Sequence, residues 1–150
     1  MVVDSTALPE QVVDDVITSA FRSAGQRCSA LRVLFVQSDV ADGVIELLAG
    51  AMKELNVGDP HKLSTDVGPV IDQAAHDRIS AHLMHLKETA TFIAKSPSAD
   101  PKLNGYFVEP QAWEISSLSA LHEEVFGPVL HIVRYHSEEL DTIIKDIRSS

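Results

Sequence analysis

Cys28 is the one thiol in this chain, and it sits in the polar, glycine-containing run Ser23-Ala24-Gly25-Gln26-Arg27-Cys28-Ser29 between a helical pattern and an apolar strand pattern. Connections of this kind, held between rigid elements, are where nucleophiles are commonly presented. A cysteine attacks as its thiolate and so needs positive potential close by, which Arg27 or oriented backbone N–H groups could supply. The competing expectation is that a lone intracellular Cys beside a strand is simply a small buried hydrophobe; spacing alone leaves both open. Other groups invite chemistry less strongly. Glu123 and Glu124 are adjacent, and adjacent side chains seldom converge on one substrate, which argues against an acid/base pair. Among seven histidines, His82 and His85 stand one helical turn apart with His76 nearby, but no Cys or carboxylate completes a first shell, so solvated surface imidazoles are expected and no metal is assigned. A Cys–His thiol hydrolase would need an imidazole beside Cys28.

The elements that must position Cys28 follow from periodicity. Pro9 suits a first helical turn, and Glu10, Asp14 and Asp15 place negative charge near the positive end of the helix dipole. Val12, Val13, Val16, Ile17, Ala20 and Phe21 form one broad apolar face, predicting a helix from 9 to about 24, ended by Gly25. Residues 31–36 are β-branched and apolar with little alternation, which suits a strand covered on both faces. Ser38 and Asp39 are capping candidates for a helix carrying Val40, Val44, Leu47, Leu48, Ala51 and Leu55, closed by Gly58-Asp59-Pro60. Gly68-Pro69-Val70-Ile71 turns into a third helix with Ile71, Ala75, Ile79, Leu83 and Leu86 inward. Thr91 to Ala94, Tyr106 to Val108 and Val129 to Tyr135 are β candidates, and Ser137 with Glu138 and Glu139 opens a last helix. This order predicts an α/β fold, a three-layer αβα arrangement around a mostly parallel sheet, as one domain over 1–150. Met1-Val2-Val3 reads as the close of a buried strand, and residues 143–147 run toward Ser150 without a capping glycine. Both ends read as cut, but ragged termini and a start codon at Met1 account for the pattern equally well, and the residues alone leave the two open.

Composition excludes several classes. Twelve Lys and Arg against twenty-two Asp and Glu leave a net charge of −10, which repels phosphate backbones, so nucleic acid is not an expected partner of this segment. No apolar run approaches the roughly 20 residues that span a bilayer, so no transmembrane segment is expected. A single Cys allows no internal disulfide, which fits a reducing cytoplasmic setting.

The segment from Phe21 through Ser29 closely resembles the nucleophile motif of the aldehyde dehydrogenase superfamily. Glu123-Glu124-Val125-Phe126-Gly127-Pro128-Val129 resembles the family's second signature, and Asp66-Val67-Gly68-Pro69 and Gly105-Tyr106-Phe107-Val108-Glu109-Pro110 fall between in family order. The run Asp4 to Val13 resembles the glutamate-γ-semialdehyde (1-pyrroline-5-carboxylate) dehydrogenase branch, and within it the aldehyde dehydrogenase part of the bifunctional proline utilization A proteins. The resemblance implies a partial catalytic domain in which Cys28 is the nucleophile. It also implies that Glu124 bonds the nicotinamide ribose hydroxyls, that Phe126 packs beside it and that Ser29 helps hold the substrate carboxylate. The implied cofactor is NAD, with NADP not distinguished; FAD enters only if a proline dehydrogenase is fused outside this chain. In the family the oxyanion is held by the nucleophile's own N–H and an upstream asparagine. That asparagine, the general-base glutamate and the cofactor domain all precede the nucleophile, so the 150 residues alone are expected to be inactive. The implied partner is a small aldehyde, and the implied assembly a homo-oligomer. The rival expectation is a non-enzymatic folding or association module that pairs through uncovered apolar surface and strand edges.

Overall fold

In the computed structural model, which describes residues 1–149, the elements run β1 (Val2–Val3), α1 (Pro9–Phe21), β2 (Val33–Gln37), α2 (Ser38–Lys53), α3 (Gln73–Thr89), β3 (Thr91–Lys95), β4 (Gln111–Glu114), β5 (Val129–Tyr135) and α4 (Leu140–Ser149). The strands form one sheet in the order β1-β2-β5-β4-β3. All neighbours are parallel except β3 and β4. The side-chain period of two assigns the faces. Leu34, Val36, Ala112, Leu130 and Ile132 have no exposed surface and share one face. Arg134 on that same face reaches Asp42 of α2 at 2.7 Å, and α1 packs on α2. On the opposite face His131 of β5 meets His82 of α3 at 2.8 Å. Helices thus cover the sheet on both sides, and the expected three layers are present. Double coverage is also why the strands read as continuous apolar runs.

Several boundaries differ from the sequence expectations, each for a local reason. Helix α1 stops at Phe21, because Ser23, Ala24 and Gly25 take left-handed dihedrals with φ of 57°, 52° and 63°. The capping role expected of Ser38 and Asp39 is not used: Gln37 is the N-cap, the Ser38 hydroxyl donates to the Tyr135 carbonyl and Asp39 accepts from the Gln37 amide. Helix α3 begins only at Gln73, behind Asp72, whose carboxylate accepts from the Ala75 N–H at 2.7 Å. Ile71 is therefore outside the apolar stripe and 81% exposed, while Ala75, Ile79, Leu83 and Leu86 are buried as expected. Tyr106 to Val108 is not a strand; only Tyr106 makes a single bridge, to Val70. The strand lies a few residues later at β4, where Ala112 and Trp113 are both buried and so hide any alternation. Met1-Val2-Val3 does pair as a strand, but at the sheet edge, with Val2 exposed and Val3 buried.

Two glycines join distant parts of this fold. A β-carbon on Gly25 would stand 2.1 Å from the carbonyl oxygen of Gly127, and one on Gly127 would stand 2.6 Å from Cδ1 of Ile79. The loop after α1, the segment before β5 and the inward face of α3 are therefore stacked with no spare room. Gly127→Ala should cost about 1–3 kcal/mol in chemical denaturation. The cost combined with Ile79→Ala should be less than the sum of the two, because removing the Ile79 branches relieves the clash. Gly25→Ala should be at least as damaging and not relieved by Ile79→Ala, since its obstacle is backbone and its φ is positive.

Candidate active site

Cys28 occupies an exposed turn between α1 and β2. The turn is built from the left-handed stretch at residues 23–25, conformations that cost a non-glycine residue about 1–2 kcal/mol each. Surrounding bonds hold it there. The Gln26 N–H donates to Ser23 O at 3.1 Å, the Ala30 N–H donates to Arg27 O at 3.1 Å, and the Gln26 side-chain oxygen accepts from the Ile71 N–H at 2.8 Å. Cys28 is therefore not the buried hydrophobe that spacing alone left open. No imidazole is hydrogen-bonded to its sulfur among the described residues.

The guanidinium that serves this loop is that of Arg32, a residue sequence reasoning did not single out. Its Nη1 donates to Gly25 O at 2.6 Å and its Nη2 to Arg27 O at 3.0 Å. Its Nε donates to Oε1 of Glu124 at 3.2 Å, and its Cζ lies 4.7 Å from the centre of the Phe126 ring. One side chain, only 14% exposed, thus touches both motifs. Glu124 is 49% exposed and Phe126 is exposed. Ser29 and Glu124 line a cleft of about 1100 Å³ that also takes in Arg32, Phe35 and His131. Arg32 thereby ties the backbone just before Cys28 to Glu124 and Phe126, while of the four expected site residues only Ser29 and Glu124 line the cleft itself. A charged residue at the mouth of an otherwise apolar strand was the available signal for Arg32.

Behind Arg32 lies a second feature. His131 donates its backbone N–H to Arg32 O at 3.0 Å, and its Nδ1 is 2.9 Å from the same oxygen. A carbonyl can only accept, so Nδ1 carries the ring proton, and Nε2 is left to accept from the Nε2–H of His82 at 2.8 Å. The rings meet edge-on, with centroids 5.0 Å apart. His82 is therefore not the solvated surface residue expected of it. Its partner was missed because it lies in a strand that reads as uniformly apolar. Among the described residues no group of three His, Cys, Asp or Glu side chains is placed to hold a metal ion.

Burial pushes His131 down to about 4, with His82 and Arg32 adding to the effect and the bond to the Arg32 carbonyl opposing it. Burial also lowers His82, helped by His85 and opposed by Glu123. A base whose folded value lies below its unfolded value binds fewer protons when folded. Its stabilising contribution is complete above the unfolded value near 6.5 and is lost as pH falls toward about 4. Melting of the chain should therefore show stability falling between pH 6.5 and 5, above the main carboxylate range, by about 1.4 kcal/mol per pH unit per proton. His131→Phe should flatten that slope; an unchanged slope in the variant would mean that the ring titrates normally.

Comparison with known proteins gives the family. The model of the aldehyde dehydrogenase family matches residues 1–145. The bifunctional protein PutA of Klebsiella aerogenes is 48% identical over 155 residues, an alignment covering 100% of this chain and 12% of that protein. The 1-pyrroline-5-carboxylate dehydrogenase of Geobacillus thermodenitrificans is 35% identical over 132 residues, covering 87% of this chain and 25% of that protein. A crystal structure of a variant of Bradyrhizobium japonicum proline utilization A superposes with a TM-score of 0.91 at 51% identity, covering 99% of this chain and 15% of that one. The chain thus spans only a small part of the length of these relatives.

Proposed function

The chain belongs to the aldehyde dehydrogenase family, and from that premise we propose that the longer protein containing this segment oxidises L-glutamate-γ-semialdehyde to L-glutamate in proline catabolism. The observation that carries the reading is the exposed Cys28 turn bonded, through Arg32, to Glu124 and Phe126. The relatives named for proline utilization and for 1-pyrroline-5-carboxylate dehydrogenase support the choice of substrate. A cytoplasmic homo-oligomer is the setting this reading implies; among the described residues no helix is long and apolar enough to cross a membrane.

In this reading the Cys28 thiolate adds to the aldehyde carbon, forming a C–S bond while the carbonyl π pair moves onto oxygen. The Cys28 N–H, which has no acceptor of its own among the described residues, is available to that oxyanion. Loss of hydride from the same carbon restores the carbonyl as a thioester on Cys28. Water then adds to the thioester, and the thiolate leaves as glutamate is released. In the same reading Ser29, next to Cys28 in the chain and on the wall of the cleft, donates to the substrate's distal carboxylate.

NAD, when bound, supplies the hydride acceptor. The residues present fit it: Glu124 has one oxygen fixed by Arg32 and, among the described residues, no hydrogen bond at the other. A half-exposed carboxylate of this kind suits ribose hydroxyls, which donate, and the exposed Phe126 ring offers an apolar face beside it. The general base and the asparagine donor that the family resemblance implies come from sequence before the nucleophile. The 150 residues by themselves should therefore yield no steady NADH, and sustained production by the pure chain would refute that point.

In the full-length protein Cys28→Ala should reduce turnover of the semialdehyde at least about a thousandfold. NAD affinity, measured by fluorescence quenching, should stay within about twofold of wild type, since the thiol takes no part in holding the ribose. Full activity in that variant would remove Cys28 as the nucleophile.

A further inference from the structure

The guanidinium of Arg32 holds two carbonyls that lie just before Cys28 in the chain, those of Gly25 and Arg27, and each carbonyl belongs to a planar trans peptide whose N–H points the opposite way. Arg27 O and the Cys28 N–H are the two ends of one such unit. Fixing the oxygen therefore fixes the direction of the N–H, and a hydrogen bond to the oxygen also polarises the N–H and strengthens it as a donor. Arg27 O receives two bonds, from Arg32 Nη2 at 3.0 Å and from the Ala30 N–H at 3.1 Å. The same fork holds Oε1 of Glu124 at 3.2 Å.

We propose that Arg32 is a positioning residue for the dehydrogenase reaction: it orients the Cys28 N–H toward the oxyanion and locks Glu124 into the same frame, coupling the nucleophile loop to the carboxylate. The inference rests on the proposed function for its chemistry, but the coupling itself is a property of this chain. An exposed ion pair would be a poor basis, since such pairs contribute little. Arg32 differs in being largely buried, in serving three acceptors with one rigid planar fork, and in having its own carbonyl held twice by His131. A lysine carries the same charge but has no fork that could span these acceptors.

The first arm of the test needs no dehydrogenase activity. In the 150-residue chain, the alkylation rate of Cys28 by iodoacetamide is measured in wild type, Glu124→Gln, Arg32→Met and the double variant. Glu124→Gln should change the rate by about threefold or more when Arg32 is present and leave it unchanged when Arg32 is Met. Equal changes in both backgrounds, or none in either, would overturn the coupling. This arm decides the role of Arg32 in joining the two motifs even if the full-length protein proves not to oxidise the semialdehyde.

In the second arm, active sites of the full-length protein are counted by stoichiometric labelling so that misfolded enzyme does not enter the rate. Arg32→Met should lower kcat per site about tenfold or more while the aldehyde KM stays within about twofold. It should also weaken NAD binding. Arg32→Lys should recover NAD binding through its charge on Glu124 but not kcat. Wild-type kcat per site in Arg32→Met, or full recovery of kcat by Lys, would overturn the positioning role.

Discussion

Where Gly25 meets Gly127, two stretches of backbone about a hundred residues apart approach so closely that no β-carbon fits between them. This contact seats the loop after α1 against the segment that leads into β5. Ile79 closes the space from the side of α3. The left-handed dihedrals at Ser23 and Ala24 belong to the same constraint, because the chain must reverse sharply to lay Gly25 on its partner. Such conformations persist only where surrounding packing determines them. Here the surroundings are the buried end of α1, with Ala20 and Phe21, and the carbonyl of Gly127.

With the backbones in register, one side chain completes the assembly. Arg32 lies just ahead of β2 and finds acceptors on the Cys28 loop and on the second motif at once. Its backbone carbonyl is in turn fixed by His131, whose ring is neutral at physiological pH because it is buried against α3. A sheet covered on both faces supplies the rigidity, and the turn that carries Cys28 stays exposed. The geometry of the Cys28 turn thus depends on a chain of contacts that begins in the core and ends at the surface.

Much of this architecture could be read in the residues. The apolar stripe of α1, the strand at β2 and the inward positions of α3 each follow from periodicity, because burial on one face or two leaves its period in the sequence. The short strand β4 was not legible, since Ala112 and Trp113 are both buried and four residues carry no usable period. Tyr106 to Val108 looked like a strand by composition but lacks a neighbour to pair with along its length. For the site, Cys28, Ser29, Glu124 and Phe126 stand out as candidates through family resemblance, not through spacing. Arg32 and the His82–His131 pair stayed hidden because each matters only through a partner far along the chain.

The sequence by itself determined the layer type, the order of most elements, the surplus of acidic charge and the identity of the one thiol, all of which are local or additive properties. Only the tertiary structure decided that Cys28 is exposed, that Glu124 is tied to its loop and that Arg32 is the tie. The reason is physical: hydrogen-bond partners 92 and 99 residues apart, as at Arg32–Glu124 and Arg32–His131, are set by strand order and close packing, and neither leaves a periodic trace in the chain.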